Sequence, residues 1–232
     1  MRNALLISLA LIVGSCSTTR QTSTAGSRGL SVKETTEGLV EALLVGADNS
    51  AQQASKKDGF FKNAAIKILF PPEAIKVRDA AVSVGLSPLV DQFELSLNRA
   101  AEDAAKEAKP VLVGAINKIR FKDVWEILFG GKTAATDYLR AKTEPELLAK
   151  FRPIVSQSIG REEVTKHWQP LASAYNSIPF VKKVNPDLQE YVTQKTVDGL
   201  FTLIAEEERK IRENPIARIS EILRKVFGTK KS

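Results

Sequence analysis

With 232 residues, 43 % of them hydrophobic and 26 % charged, the chain is long enough for one domain with a full apolar core. One cysteine and one histidine exclude an internal disulfide, a cysteine-built metal site and a histidine cluster. The net charge of +7 comes from 34 basic against 27 acidic residues, mixed along the chain and without interleaved aromatics, a pattern that argues against nucleic acid as a partner.

The N-terminus places Arg2 before the apolar run Ala4 to Val13, which ends in Gly14 and Ser15 and gives way to the polar stretch Ser17 to Thr24. A charged start, a short apolar core and small residues form the layout of an export signal. The run is about half of the ~20 apolar residues that a membrane-spanning helix needs. Val13-Gly14-Ser15-Cys16 resembles the lipobox of bacterial lipoproteins, and that resemblance implies cleavage before Cys16 and lipid attachment to it. The expected organisation is a cleaved signal peptide over 1–15, a lipidated cysteine with a polar tether over 16–30, a single helical domain over 31–228 and a basic tail over 229–232. Ser17 after the cysteine implies, through the same resemblance, the outer membrane of a bacterial cell envelope.

The domain reads as all-α, an irregular multi-helix bundle with one short extended segment near residues 66–70. Ser31-Val32-Lys33-Glu34 has the form of a capping box, and Leu39, Val40, Leu43, Leu44, Ala47 and Ala51 continue it at helical spacing until Asp58-Gly59. Ile66 to Phe70 alternates before Pro71-Pro72, as an extended segment does. A helix is predicted from Pro72 to Gly85. A longer one follows from an N-cap at Ser87 with Pro88 in its first turn, carrying Phe93, Leu97, Ala100, Ala101, Ala104 and Ala108 on one face.

Beyond Pro110 the predicted segments shorten. A helix over Phe121 to Phe129 ends at Gly130-Gly131, and Thr133 and Thr143 are expected to cap two further helices, with Pro145 near the start of the second. Asn185-Pro186 and Asn214-Pro215 are expected to open the last two.

Long phrases of the domain resemble one family: "DGFFKNAAIKILFP", "DQFELSLNRAAEDAAKEAKPV", "LFGGKTAATDYLRAKT", "IPFVKKVNPDLQEYVTQKTVDGLF" and "IAEEERKIRENPIARISEILRKVFG". They are similar to the exported bacterial proteins grouped as domain of unknown function 4197, over about residues 31–228. The resemblance implies a helical domain with no assigned activity and supplies no catalytic residues.

The chemistry-bearing groups are few. His167 in "VTKHWQP" has no nucleophile elbow to serve. Asp91, Glu94, Asn98 and Glu102 recur at intervals of three and four along one helix side, with Arg99 able to pair with Glu102 or Asp103. Asp91, Glu94, Asn98 and Arg99 are therefore the candidate binding residues. Glu206 with Lys210 and Glu208 with Arg212 have the spacing of helix-stabilising pairs. Gly130-Gly131-Lys132-Thr133 lacks the spacing of a phosphate loop, leaving a weak anion site at the start of the following helix. No cofactor and no metal is expected. The function this supports is an envelope lipoprotein, attached to the membrane through Cys16, whose domain binds an envelope protein or an apolar ligand. The alternatives are a carboxylate- or metal-dependent hydrolase and a purely structural interaction protein.

Overall fold

The computed structural model describes residues 29–229, so the signal peptide, Cys16, most of the tether and the last tail residues lie outside the described residues. Nine α-helices and no strand occur among the described residues: α1 Val32–Ala54, α2 Ile75–Ser83, α3 Ser87–Ala105, α4 Ala108–Ile116, α5 Val124–Leu128, α6 Ala134–Arg161, α7 Val164–Asn176, α8 Leu188–Glu213 and α9 Glu221–Phe227. Single 3₁₀ turns, Pro72–Ala74 and Pro215–Ala217, precede α2 and follow α8.

The capping box at the start of α1 is formed. Ser31 Oγ accepts from Glu34 N at 3.1 Å, and Glu34 Oε2 accepts from Ser31 N at 2.9 Å. From there α1 buries Leu39, Leu43, Ala47 and Ala51 against α8, with α4 and α9 on its flanks. Leu30, one residue before the cap, is already in the core. Helices α1, α6 and α8 form the centre, and α3 lies across α6, α7 and α8. Of the alanines predicted on this helix, Ala100, Ala101 and Ala104 are buried on α3 and let these helices close up, while Ala108, also buried, falls in α4 because α3 ends at Ala105. Phe93 makes an edge-on contact with Phe70 at 4.8 Å and stands 5.1 Å from Trp168 of α7.

Two close contacts, α1 with α9 and α8 with the segment between α1 and α2, depend on a missing side chain. A Cβ at Gly38 of α1 would stand 2.6 Å from Val226 of α9, and one at Gly199 of α8 would stand 2.6 Å from the Phe60 ring. Both glycines are buried, so the contacts are backbone against side chain.

Several predicted boundaries move. Ser87 is the first residue of α3 and not its cap, and no side chain caps that end. The helix expected over Phe121 to Phe129 is confined to Val124–Leu128, with Asp123 accepting from Trp125 N and Glu126 N. The two helices expected after Thr133 and Thr143 are one, the 28-residue α6, with Pro145 and Pro153 inside it. Both prolines and the residues four before them, Ala141 and Ala149, are exposed, so water can take the carbonyls that lose a donor. Leu139, Leu147, Phe151 and Val155 hold the opposite face against the core. Thr143 is buried within α6 and bonds back to the Leu139 carbonyl at 2.7 Å. Asp187, not Asn185, caps α8, and Asn214 caps the Pro215–Ala217 turn while Ser220 caps α9.

The segment expected to be extended over residues 66–70 instead starts in a turn at Ile66, and residues 67–70 follow without regular structure or strand pairing. The amide of Asn98 takes the place of a partner strand: Oδ1 accepts from Ile68 N and Nδ2 donates to Ile68 O, both at 2.8 Å.

Candidate functional site

The polar row of α3 divides by what each side chain is committed to. Asp91 is exposed. Glu94 pairs with Lys67 at 2.5 Å, close to Tyr191, whose phenol is pushed above its ordinary value by burial and by the charges of Glu73 and Glu94. Asn98 is fully buried and spent on Ile68, with a further bond to the Glu94 carbonyl. Arg99 pairs with Glu102 and, at 2.6 Å, with Asp58. Burial opposes its charge, but the two carboxylates outweigh burial and hold its guanidinium above the ordinary value. Asp58 is lowered in turn by Lys62 and then by Arg99. Asp103, offered by spacing as another partner of Arg99, instead meets Lys106 at 2.9 Å and Arg161.

Glu102 explains this arrangement. It is 4 % exposed, and its Oε1 accepts from the backbone N–H groups of Phe60 and Phe61, both at 3.1 Å. Glu102 and Asn98 thus satisfy the irregular segment between α1 and α2, which has no ladder of its own. The row is a set of internal fasteners at Asn98, Arg99 and Glu102, opening to solvent at Glu94 and Asp91.

A second buried carboxylate, Glu208, is 1 % exposed. It accepts from Ala135 N at 3.0 Å, from Thr136 N at 2.7 Å and from Thr136 Oγ1 at 2.6 Å, and it pairs with Arg212 at 2.7 Å. Arg212 in turn donates to the carbonyls of Leu128 at 2.6 Å and Ile127 at 3.0 Å. One side-chain pair on α8 therefore closes the C-terminal end of α5 and the N-terminal end of α6, with the sign of charge that each helix end favours. The anion site expected at the start of α6 is filled by the protein's own carboxylate. The predicted Glu206–Lys210 pair is replaced by Glu207–Lys210 at 2.5 Å, and Glu207 also accepts from Asn49 of α1. His167 is half-buried on α7.

An open site of mainly apolar lining lies elsewhere, between α2 and α7. An apolar groove of about 260 Å³ is lined by Val77, Ala81, Val84, Leu86, Leu171, Ala174, Tyr175 and Ile178. Its outer lip is uncovered: Val84 is 71 % exposed and Ile178 43 %. Tyr175 also borders the adjoining depression, whose wall includes Glu73, Lys76, Lys182 and Lys183. Sequence periodicity assigns Val84, Leu86 and Ile178 to helix ends and breaks, so no spacing marks them as one surface. The clue was the apolar content of "VSVGLSPLV" and "NSIPFV" within segments too short to bury it.

The molecule is an all-α multi-helix bundle with an uncovered apolar groove between two helices, and its buried acids Glu102 and Glu208 are consumed by structure. No group of three or more His, Cys, Asp or Glu arranged to hold a metal is present among the described residues. The family described as Protein of unknown function (DUF4197) matches residues 29–228, and the chain belongs to it. No curated protein and no solved structure matches the chain. No helix among the described residues is long and apolar enough to cross a membrane.

Proposed function

We propose that the chain is a bacterial envelope lipoprotein, held at the outer membrane through Cys16, whose helical domain receives an apolar ligand or the apolar segment of an envelope partner in the α2–α7 groove. The observation that carries the binding reading is the groove itself, an apolar concavity between two helices with an uncovered lip at Val84 and Ile178. The lipobox and its flanks support the attachment. Glu102 and Glu208 are saturated by backbone N–H groups and arginines, which leaves them no free oxygen for acid–base work and favours binding over hydrolysis.

The test is intact and native mass spectrometry of the full chain extracted gently from the membranes that produce it. The expected covalent mass is that of cleavage before Cys16 plus acyl chains, with a noncovalent adduct that disappears in Ala174→Trp, where an indole fills the groove. An uncleaved or unacylated mass overturns the attachment. An adduct that survives Ala174→Trp overturns the groove as its seat.

A further inference from the structure

The segment between α7 and α8 presents one side chain in an unusual way. Phe180 is 107 % exposed, and its φ of +65° lies in the left-handed region that a residue with a Cβ adopts at a cost. The segment is not loose at its base. Asn176 clasps it, Nδ2 donating to Val184 O at 3.0 Å and Oδ1 accepting from Val184 N at 2.9 Å. Residues 177–183 thus form a pinned projection with Phe180 at its middle. Ile178 on one side of Phe180 belongs to the apolar groove with Val84 and Leu86, and Lys182 and Lys183 on the other are exposed and share the adjoining depression with Lys76.

We propose that this projection is a membrane-docking element that seats Phe180 and Ile178 in the interfacial layer of an anionic phospholipid bilayer, with Lys182 and Lys183 on the headgroups. An aromatic and an aliphatic side chain next to long-stemmed cations match a bilayer surface in layers, apolar groups inward and charges at headgroup height. Charge complementarity selects the lipid: three lysines face Glu73, the one acid lining that depression, and each basic residue near an anionic surface strengthens attachment about fivefold. A second copy of the chain fits less well, because a two-fold contact through this tip would bring Lys182 and Lys183 against their own duplicates. The clasp by Asn176 fixes the loop before contact, so docking does not have to order it. The proposed attachment through Cys16 enters only as the reason a membrane is near.

The experiment uses the chain from Ser17 onward, without the expected export signal and Cys16, which removes both apolar anchors and leaves Phe180→Cys as the sole thiol. That thiol carries a nitrobenzoxadiazole fluorophore, and the chain is mixed with vesicles of phosphatidylglycerol and phosphatidylethanolamine containing acyl-brominated lipid. The expected result is quenching at position 180, absent from the same probe at Gln157→Cys on exposed α6, and lost with phosphatidylcholine vesicles. Adding Lys182→Glu and Lys183→Glu lowers the apparent vesicle affinity at position 180 at least tenfold. In the unlabelled chain, Phe180→Gly leaves the melting temperature unchanged or raised, because glycine accepts the positive φ, while flotation with anionic vesicles falls. Equal quenching at 180 and 157, or a vesicle-bound chain unquenched at 180, overturns the proposal, as does capture of position 180 by a protein in crosslinking without vesicle quenching. Since acylation is absent from this chain by design, a failure here and a failure of the Cys16 reading are told apart.

Discussion

Glu208→Ala removes the acceptor on which two helix ends depend, and its cost follows from what remains. Ala135 N and Thr136 N sit in the first turn of α6, buried, and no carboxylate replaces the one at 3.0 and 2.7 Å. Each buried donor left without an acceptor costs about 1–3 kcal/mol. Arg212, whose side chain is 10 % exposed, keeps its bonds to Leu128 and Ile127 but loses its counter-charge. Together these give a loss of about 3–5 kcal/mol, the range for breaking a buried ion pair from one side. For a domain of this size that is roughly 6–20 °C in melting temperature. The assay is urea and thermal unfolding followed by far-ultraviolet circular dichroism, with Glu206→Ala on the same helix as control, expected within about 0.5 kcal/mol of the parent. Glu208→Gln keeps one acceptor oxygen and is expected to fall between them. If Glu208→Ala lies within about 1 kcal/mol of the parent, the carboxylate is not what closes these helix ends.

Glycine positions separate propensity from packing. Gly114→Ala in α4, where an added Cβ meets nothing within 4 Å, should stabilise by about 0.5–1 kcal/mol in chemical denaturation, whereas Gly38→Ala should destabilise by about 1–3 kcal/mol despite alanine's better helix propensity, because the methyl meets Val226. Asn98→Leu should cost about 2–4 kcal/mol and speed hydrogen exchange at the Ile68 amide, since both backbone groups of Ile68 lose their partner. In acid, Glu34 is held at about 2, first by Lys225 and then by its bonds to Ser31. A folded value below the unfolded one of about 4.3 means its contribution is present above that pH and lost as pH falls towards 2. Unfolding midpoints should drop over that window, and Glu34→Gln should flatten part of the drop.

What sequence could and could not reveal follows the distance between partners. The capping box was legible because Ser31 and Glu34 are three residues apart, and the apolar faces of α1, α3 and α8 because burial repeats every turn. Thr133 is the N-cap residue of α6 as its spacing suggests, but its hydroxyl donates to Asp137, and the side chain that accepts from the first turn stands on α8, 72 residues beyond Thr136. Thr143 and Pro145 suggested the start of a second helix because a lone sequence does not say which side of a helix meets water. In the polar row, the types and register were visible, but not that Asn98 and Glu102 would turn inward to serve backbone 30 and 42 residues earlier. The groove escaped because its residues come from two helices and the turns that end them.

The contact between the first helix and the last sets an order of assembly. Lys225 of α9 pairs with Glu34, 191 residues earlier, Val226 fills the space over Gly38, and Glu208 supplies the start of α6 from near the end of the chain. A chain that crosses a membrane amino end first would therefore arrive with α1 bare along its α8 and α9 flanks. Its apolar stripe would stay open until nearly the whole polypeptide had emerged. The domain has no early-closing half, and a truncation of even the last two turns would leave the first helix without its cover at Gly38.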